Sequence, residues 1–196
     1  YKVLGSYGKG VFSTVVRCLD MKAPVVGQEV AIKVQRNNAM MRRAGEKEIM
    51  YLNQLASSDP DNRKHCIHYI GSFDHEDHLC MIFEAMHQNL RSALRQHGHR
   101  RGIQMHAVRI YARQMFIALR YMERLNIMHA DLKPDNFVYA EDGSLKLIDF
   151  GLSRDVDIDS RGIRAGNLTF TAPETLTKKG LYGQPADVWA LGCMFF

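Results

Sequence analysis

The chain has 196 residues, 46% hydrophobic and 24% charged, which leaves room for one large domain or two small lobes sharing a cleft and suits an ordinary soluble globular protein. No apolar run reaches the roughly 18 residues of a membrane-spanning helix, and a net charge of +5 permits an anionic partner without requiring one. Cys18, Cys66, Cys80 and Cys193 form no C-x-x-C pair and read as buried thiols of a reduced, intracellular protein, while the start at Tyr1 with no signal-peptide pattern reads as an excerpt of a longer chain.

Tyr1 to Val34 reads as strand, glycine loop, strand, turn, strand. Gly8-Lys9-Gly10-Val11-Phe12-Ser13 follows G-x-G-x-x-G except at Ser13. Glycine there lets backbone N–H groups approach a phosphate with no Cβ in the way, although a plain hairpin turn explains the same residues. Val30-Ala31-Ile32-Lys33 puts one cation in an apolar strand, and alternation points Lys33 the way Ala31 points. Lys33 reads either as a solvated edge lysine or as a phosphate ligand. Met40 to Leu55 has a helical stripe at Ile49, Leu52 and Leu55. Glu48, directly before that stripe, is expected to face inward towards Lys33, and Glu46 to be solvated.

Ser57 to Asn62 is a loop by composition, followed by short strands around Ile67 to Phe73 and Leu79 to Phe83. His75-x-x-His78 lacks the further ligands of a metal site and reads as surface histidines on a hairpin. Glu84 to Asn89 is the expected connector between two lobes, 1–84 and 85–196. Helices are expected over Asn89 to His97 and Gln104 to Arg124. In the second, Arg109, Arg113, Arg120 and Arg124 fall within about 60° of arc, a ridge that reads as a solvated face; RNA binding there is the alternative, without aromatic interleaving to support it.

His129-Ala130-Asp131-Leu132-Lys133-Pro134-Asp135-Asn136 sets a carboxylate, an ammonium and a carboxamide on one loop. Phe137 to Tyr139 and Leu145 to Ile148 form a hairpin across Glu141-Asp142-Gly143 and deliver Asp149-Phe150-Gly151, a second carboxylate 18 residues after Asp131. Leu152 to Thr171 has little apolar content and is expected to be mobile. Ala172-Pro173-Glu174 follows, and Asp187-x-Trp189-x-x-Gly192 opens a last helix.

In this order the elements resemble those of the eukaryotic protein kinases over essentially the whole chain. Gly-x-Gly-Val-Phe-Ser-x-Val-Val-Arg, Arg36-Asn37-Asn38, Leu79-Cys80-x-Ile82-Phe83-Glu84, Asn89-Leu90-Arg91 and His-Ala-Asp-x-Lys-Pro-Asp-Asn are similar to the pre-mRNA processing factor four kinases of the CMGC group, related to the dual-specificity Tyr-regulated kinases. The resemblance implies an α+β bilobal fold with an antiparallel-sheet N-lobe and a mainly helical, here incomplete, C-lobe that would fold poorly alone. It implies a nuclear Ser/Thr kinase using ATP and magnesium (Mg2+) on protein substrates such as Arg/Ser-rich splicing factors, with no direct nucleic-acid or membrane partner.

By that resemblance the backbone of Gly8, Lys9, Gly10, Val11, Phe12 and Ser13 covers the ATP phosphates. Lys33, held by Glu48, ligates the α- and β-phosphates; Asn136 and Asp149 bind magnesium; Asp131 takes the proton of the attacking hydroxyl; Lys133 contacts the γ-phosphate. Val15 and Ala31 belong to the nucleotide site, Phe83 to the back of the adenine pocket, and Glu84 and Met86 to the hinge. Three positions depart from the family. Ala130 replaces an Arg, which implies weaker coupling to loop phosphorylation. Asn167 stands where a Ser or Thr supports the catalytic Asp, and Thr171 where relatives carry Arg. Ser160, Thr169 and Thr171 are candidate phosphosites, and a catalytically silent nucleotide-binding scaffold is the alternative function.

Overall fold

The computed structural model describes residues 1–23, 27–98, 102–140, 142–156, 167–176 and 183–195. Ser160 and Glu141 lie outside them, so the phosphosite expectation at Ser160 and one corner of the expected hairpin turn fall outside as well. The chain builds an antiparallel sheet first and helices afterwards, the α+β arrangement expected.

Five strands, β1 (Lys2–Lys9), β2 (Ser13–Asp20), β3 (Gln28–Gln35), β4 (Tyr69–His75) and β5 (His78–Glu84), lie in the order β1-β2-β3-β5-β4. Paired residues share a face, and the register puts Val15 opposite Lys33, Lys33 opposite Met81, and Ala31 opposite Phe83. Those side chains therefore point together into the main core, which continues through Tyr51, Leu52 and Leu55 of the helix below. Val30, Ile32, Cys80 and Ile82 fill a separate small cluster on the other face.

Helix α1 (Ala39–Ser58) starts at Asn38, whose side chain accepts the Met41 N–H at 2.9 Å, a cap that satisfies one orphan donor of the first turn. It is a turn longer than its apolar stripe suggests. At its far end the Asp59 carboxylate accepts the N–H groups of Arg63 (3.0 Å) and Lys64 (2.8 Å), so the polar loop that follows is organised rather than slack. Strand β4 begins at Tyr69 rather than Ile67. The reason is competition for backbone partners: Ile67 N–H donates to Leu147 O (2.9 Å) and Leu147 N–H to His65 O (2.8 Å), which commits residues 65–67 to a different strand.

The second half contains α2 (Leu90–His97), α3 (Met105–Arg124), β6 (Ile127–Met128), β7 (Phe137–Tyr139), β8 (Leu145–Leu147), β9 (Arg154–Asp155) and α4 (Gln184–Phe195). Asn89 caps α2 through the Ser92 N–H. Helix α3 buries Met115, Ala118, Leu119, Tyr121 and Met122 and leaves Arg109, Arg113, Arg120 and Arg124 exposed. Helix α4 starts three residues before Asp187, with Pro185 in its first turn, where a missing N–H costs nothing. Two small antiparallel pairs, β7–β8 and β6–β9, flank the loop that carries Asp131. No described helix is long and apolar enough to cross a membrane.

Candidate active site

Strand β3 and helix α1 bring Lys33 and Glu48 together. Lys33 Nζ lies 2.8 Å from Glu48 Oε1 and 2.9 Å from Oε2, and a third contact of 2.9 Å reaches Asp149 Oδ1. Glu48 is 2% exposed, so the inward orientation expected of it is observed, whereas Glu46 sits at the surface on Arg42. Burial alone would lower the pKa of the Lys33 ammonium, but Glu48 and then Asp149 outweigh it and raise it above its ordinary value. Burial likewise pushes the Glu48 carboxyl up, against the pull of Lys33. Partial desolvation acts upward on the Asp149 carboxyl, whose side chain stays 45% exposed, but Lys33, His129 and Lys133 together bring it below its ordinary value.

Asp149 has φ +65°, left-handed backbone for a non-glycine residue, at the mouth of a 3-10 turn over Phe150–Leu152. Phe150 is buried and packs edge-on to His129 with centroids 5.3 Å apart. A Cβ on Gly151 would sit 3.5 Å from Asp149 Oδ1 and 3.6 Å from Glu48 Oε2, so this glycine lies against both carboxylates.

The loop from His129 is pinned from below. Asp187, 3% exposed at the start of α4, accepts the backbone N–H groups of His129 (2.7 Å) and Ala130 (3.0 Å). His129 Nε2 is 3.0 Å from Ile148 O, which ties the loop to the strand leading into Asp149. Ala130 takes φ +67°, so the loop reverses there and Asp131 is presented next. Around the Asp131 carboxylate stand Lys133 Nζ at 2.5 Å and Asn136 Nδ2 at 3.1 Å, the latter also donating to Asp131 O at 2.8 Å. With its amide nitrogen so engaged, Asn136 has Oδ1 as the side-chain atom that could serve a cation. Ile148 N–H bonds Asn136 O at 2.9 Å and brings the Asn136 backbone beside Asp149. One carboxylate and one carboxamide suit magnesium, which takes a few hard oxygens from protein and completes its shell from phosphates and water.

The glycine turn closes between Gly10 N–H and Ser13 O at 2.8 Å, and Phe12 O accepts the Arg36 N–H at 3.1 Å. Val11 and Phe12 are exposed. A Cβ at Gly8 would meet nothing within 4 Å, so no contact inside the protein calls for glycine there. Open space over the loop backbone agrees with a site for a ligand. At the other end of the cleft, Phe83 is 8% exposed with its ring 5.8 Å from Tyr69, and Met86 is buried just beyond it. The Glu84 side chain forms a partly buried ion pair with Lys146, at 2.6 and 2.7 Å.

Asn167 Oδ1 accepts the Thr169 N–H at 3.0 Å, and Thr171 Oγ1 donates to Asn167 O at 2.9 Å. Asn167, Phe170 and Thr171 line a cavity of about 30 Å³ with Asp131 and Asp187. Thus Lys33, Glu48 and Asp149 meet in one cluster and Asp131, Lys133 and Asn136 in another, while Asn167 spends its side chain on its own turn. Asp187 and Lys146 went unassigned in the sequence. The signal for Asp187 was its place in Asp-x-Trp-x-x-Gly; for Lys146 it was a lone charge inside Leu145-Lys-Leu-Ile.

Residues 1–196 match the family model described as "Protein kinase domain". The chain belongs to the protein kinase domain family. It is 39% identical over 197 residues to "Serine/threonine-protein kinase prp4" of Schizosaccharomyces pombe, covering 100% of this chain and 40% of that protein. It is 34% identical to "Serine/threonine-protein kinase prpf4B" of Dictyostelium discoideum, covering 98% of this chain and 24% of the relative. "Dual specificity tyrosine-phosphorylation-regulated kinase mbk-2" of Caenorhabditis briggsae matches at 34%, over 99% of this chain and 23% of its own length. These relatives bear out the resemblance read from the motifs. The kinase domain described here thus spans less than half the length of each of them.

Proposed function

We propose that this kinase domain is catalytically active and transfers the γ-phosphoryl group of ATP to serine or threonine hydroxyls of proteins. The observation that carries the reading is Lys33, bonded at once to Glu48 and Asp149, which joins the sheet, helix α1 and the Asp149 turn into one charged centre. The backbone from Gly8 to Ser13 covers the phosphates. Lys33 neutralises the α- and β-phosphates and is oriented by Glu48. Val15, Ala31 and Phe83 pack around adenine, and the backbone of Glu84 and Met86 pairs with its edge. Asp149 and Asn136 would hold magnesium, which when bound would offset negative charge on the phosphates. Asp131 orients the substrate hydroxyl and accepts its proton, while Lys133 stabilises the charge on the phosphoryl being transferred.

Similarity to relatives named prp4 and prpf4B supports nuclear, splicing-related substrates, among them Arg/Ser-rich proteins. The full-length protein, incubated with magnesium, labelled ATP and an Arg/Ser-rich peptide, is expected to label the peptide, and Asp131→Asn and Asp149→Asn to abolish labelling. Transfer surviving both substitutions would sink the mechanism. Nucleotide binding by the parent without transfer would favour a silent scaffold, the reading to which Ser13 and Asn167 lend weight.

A further inference from the structure

Arg91 stands in the first turn of α2, which holds no acidic residue. A cation there faces the positive end of the helix dipole and weakens the helix unless an anion is at hand. The anion comes from another element: Asp135 Oδ2, 44 residues on, lies 2.6 Å from Arg91 Nε, in the short turn Pro134–Asn136 of the loop that carries Asp131. A local conflict settled only by a distant partner is expected where a residue serves something beyond its own helix.

The loop is held at both ends. Asp187 fixes His129 and Ala130, and the Ile148 N–H bonds Asn136 O at 2.9 Å. Between these anchors the turn closes through the Asn136 N–H on Lys133 O at 2.9 Å, and Asp135, inside that closure, reaches out to α2. Helix α2 is itself set against the strand that follows the loop. His87 N–H bonds Tyr139 O at 2.9 Å and Tyr139 N–H bonds Gln88 O at 3.1 Å, so the residues just before α2 are tied to β7. Arg91 therefore acts from a fixed base on a residue that has Lys133 two positions before it and Asn136 directly after it.

Both side chains of the pair are 37% exposed, and an ion pair this open contributes little to stability. Its consequence lies in geometry. We propose that Arg91 is a positioning residue: by holding the Asp135 carboxylate from α2 it sets the turn that carries Lys133 and Asn136, and so the placement of the γ-phosphate contact and of one magnesium ligand. A partner that orients a metal ligand typically matters about 10–100-fold in metal affinity or activity, and Arg91 acts one residue further out. The proposal rests on the kinase reading for what Lys133 and Asn136 touch; the anchoring itself does not.

The test uses the full-length protein with Arg91→Met, which keeps much of the stem and removes the fork, Asp135→Asn, the double variant, and Arg91→Lys as the conservative rescue. Thermal unfolding, amide hydrogen exchange over residues 133–138, the magnesium concentration for half-maximal rate, and KM for an Arg/Ser-rich peptide are measured. Arg91→Met is expected to unfold near the parent's midpoint, to exchange faster over 133–138, and to need roughly threefold to tenfold more magnesium, with the peptide KM unchanged. The double variant should be no worse than either single one, because the two residues act as a unit. Arg91→Lys should recover part of both effects.

A folded Arg91→Met with the parent's exchange and magnesium requirement would overturn the proposal. So would additive losses in the double variant. A change confined to the peptide KM would assign the pair to substrate binding and overturn it too. If the parent transfers no phosphate, exchange alone decides: faster exchange in Arg91→Met, reduced again by Arg91→Lys, leaves the anchor standing while the kinase reading fails.

Discussion

Asp187 and His129, 58 residues apart in sequence, meet through a buried bond from the His129 N–H to Asp187 Oδ2 at 2.7 Å, and the next residue, Ala130, gives its N–H to Oδ1. A single carboxylate therefore fixes the two residues that immediately precede Asp131. Replacing it by Ala leaves two inward N–H groups without acceptors, each costing about 1–3 kcal/mol. Asp187→Ala is thus expected to lose about 2–5 kcal/mol in urea unfolding, and Asp187→Asn, which keeps one accepting oxygen, about half of that. Equal stability of Asp187→Ala and the parent would show that the loop holds its shape without this anchor.

Gly8 separates ligand requirements from folding requirements. An added Cβ meets nothing within 4 Å, so Gly8→Ala should leave the unfolding midpoint within about 0.5 kcal/mol of the parent. The same methyl would stand between the loop backbone and a phosphate. Affinity for ATP with magnesium should fall several-fold, about 1 kcal/mol or more. A large loss of stability with intact affinity would mean that the glycine serves the β1–β2 turn alone.

Much of this arrangement is legible in the sequence because the deciding interactions are local or periodic. Alternation along β3 puts Lys33 on the same side as Ala31, and helical spacing puts Glu48 beside the buried stripe of α1, so their meeting needs only that α1 pack under the sheet. What sequence spacing misses lies across long separations. Leu145-Lys146-Leu147 looks half-solvated by alternation, yet β8 is covered on both faces and its lysine is satisfied by a residue 62 positions away. The start of β4 slips for the same reason, since Leu147 claims the backbone of residues 65–67. Asn167 matches the family position but, being an amide, closes a turn on the Thr169 N–H.

The paired charges give opposite pH signatures. Lys33 has its pKa raised above the ordinary 10.5, so its contribution to stability is complete below 10.5 and is lost as pH rises through the higher folded value. Asp149 is depressed below 3.8, so its contribution is present above 3.8 and is lost as pH falls through the lower folded value. Between those limits neither group changes charge. Competitive amine labelling reads this directly: Lys33 should react more slowly at pH 9 than exposed lysines such as Lys2, and Glu48→Gln should speed it. Lys33 labelling at the surface rate would contradict the three-way contact.

Gly45 tests whether helix α1 must sit where it does. Mid-helix glycine ordinarily costs about 1 kcal/mol relative to alanine, so Gly45→Ala would stabilise an isolated α1. Here Gly45 is buried, and its added Cβ would fall 2.7 Å from Leu79 Cδ2, a tip that is itself 6% exposed and has little room to retreat. Overpacking of this kind costs about 1–3 kcal/mol, so a net loss of about 1 kcal/mol is expected in urea unfolding. Glu48 lies one turn further along the same helix. Relief of the clash by α1 moving off β5 would lengthen the Lys33–Glu48 contact, and the Lys33 labelling rate should rise with the loss of stability. Adding Leu79→Val makes space for the methyl and should restore both. A gain in stability from Gly45→Ala alone would show that Leu79 yields and that α1 is not held against β5 at this point.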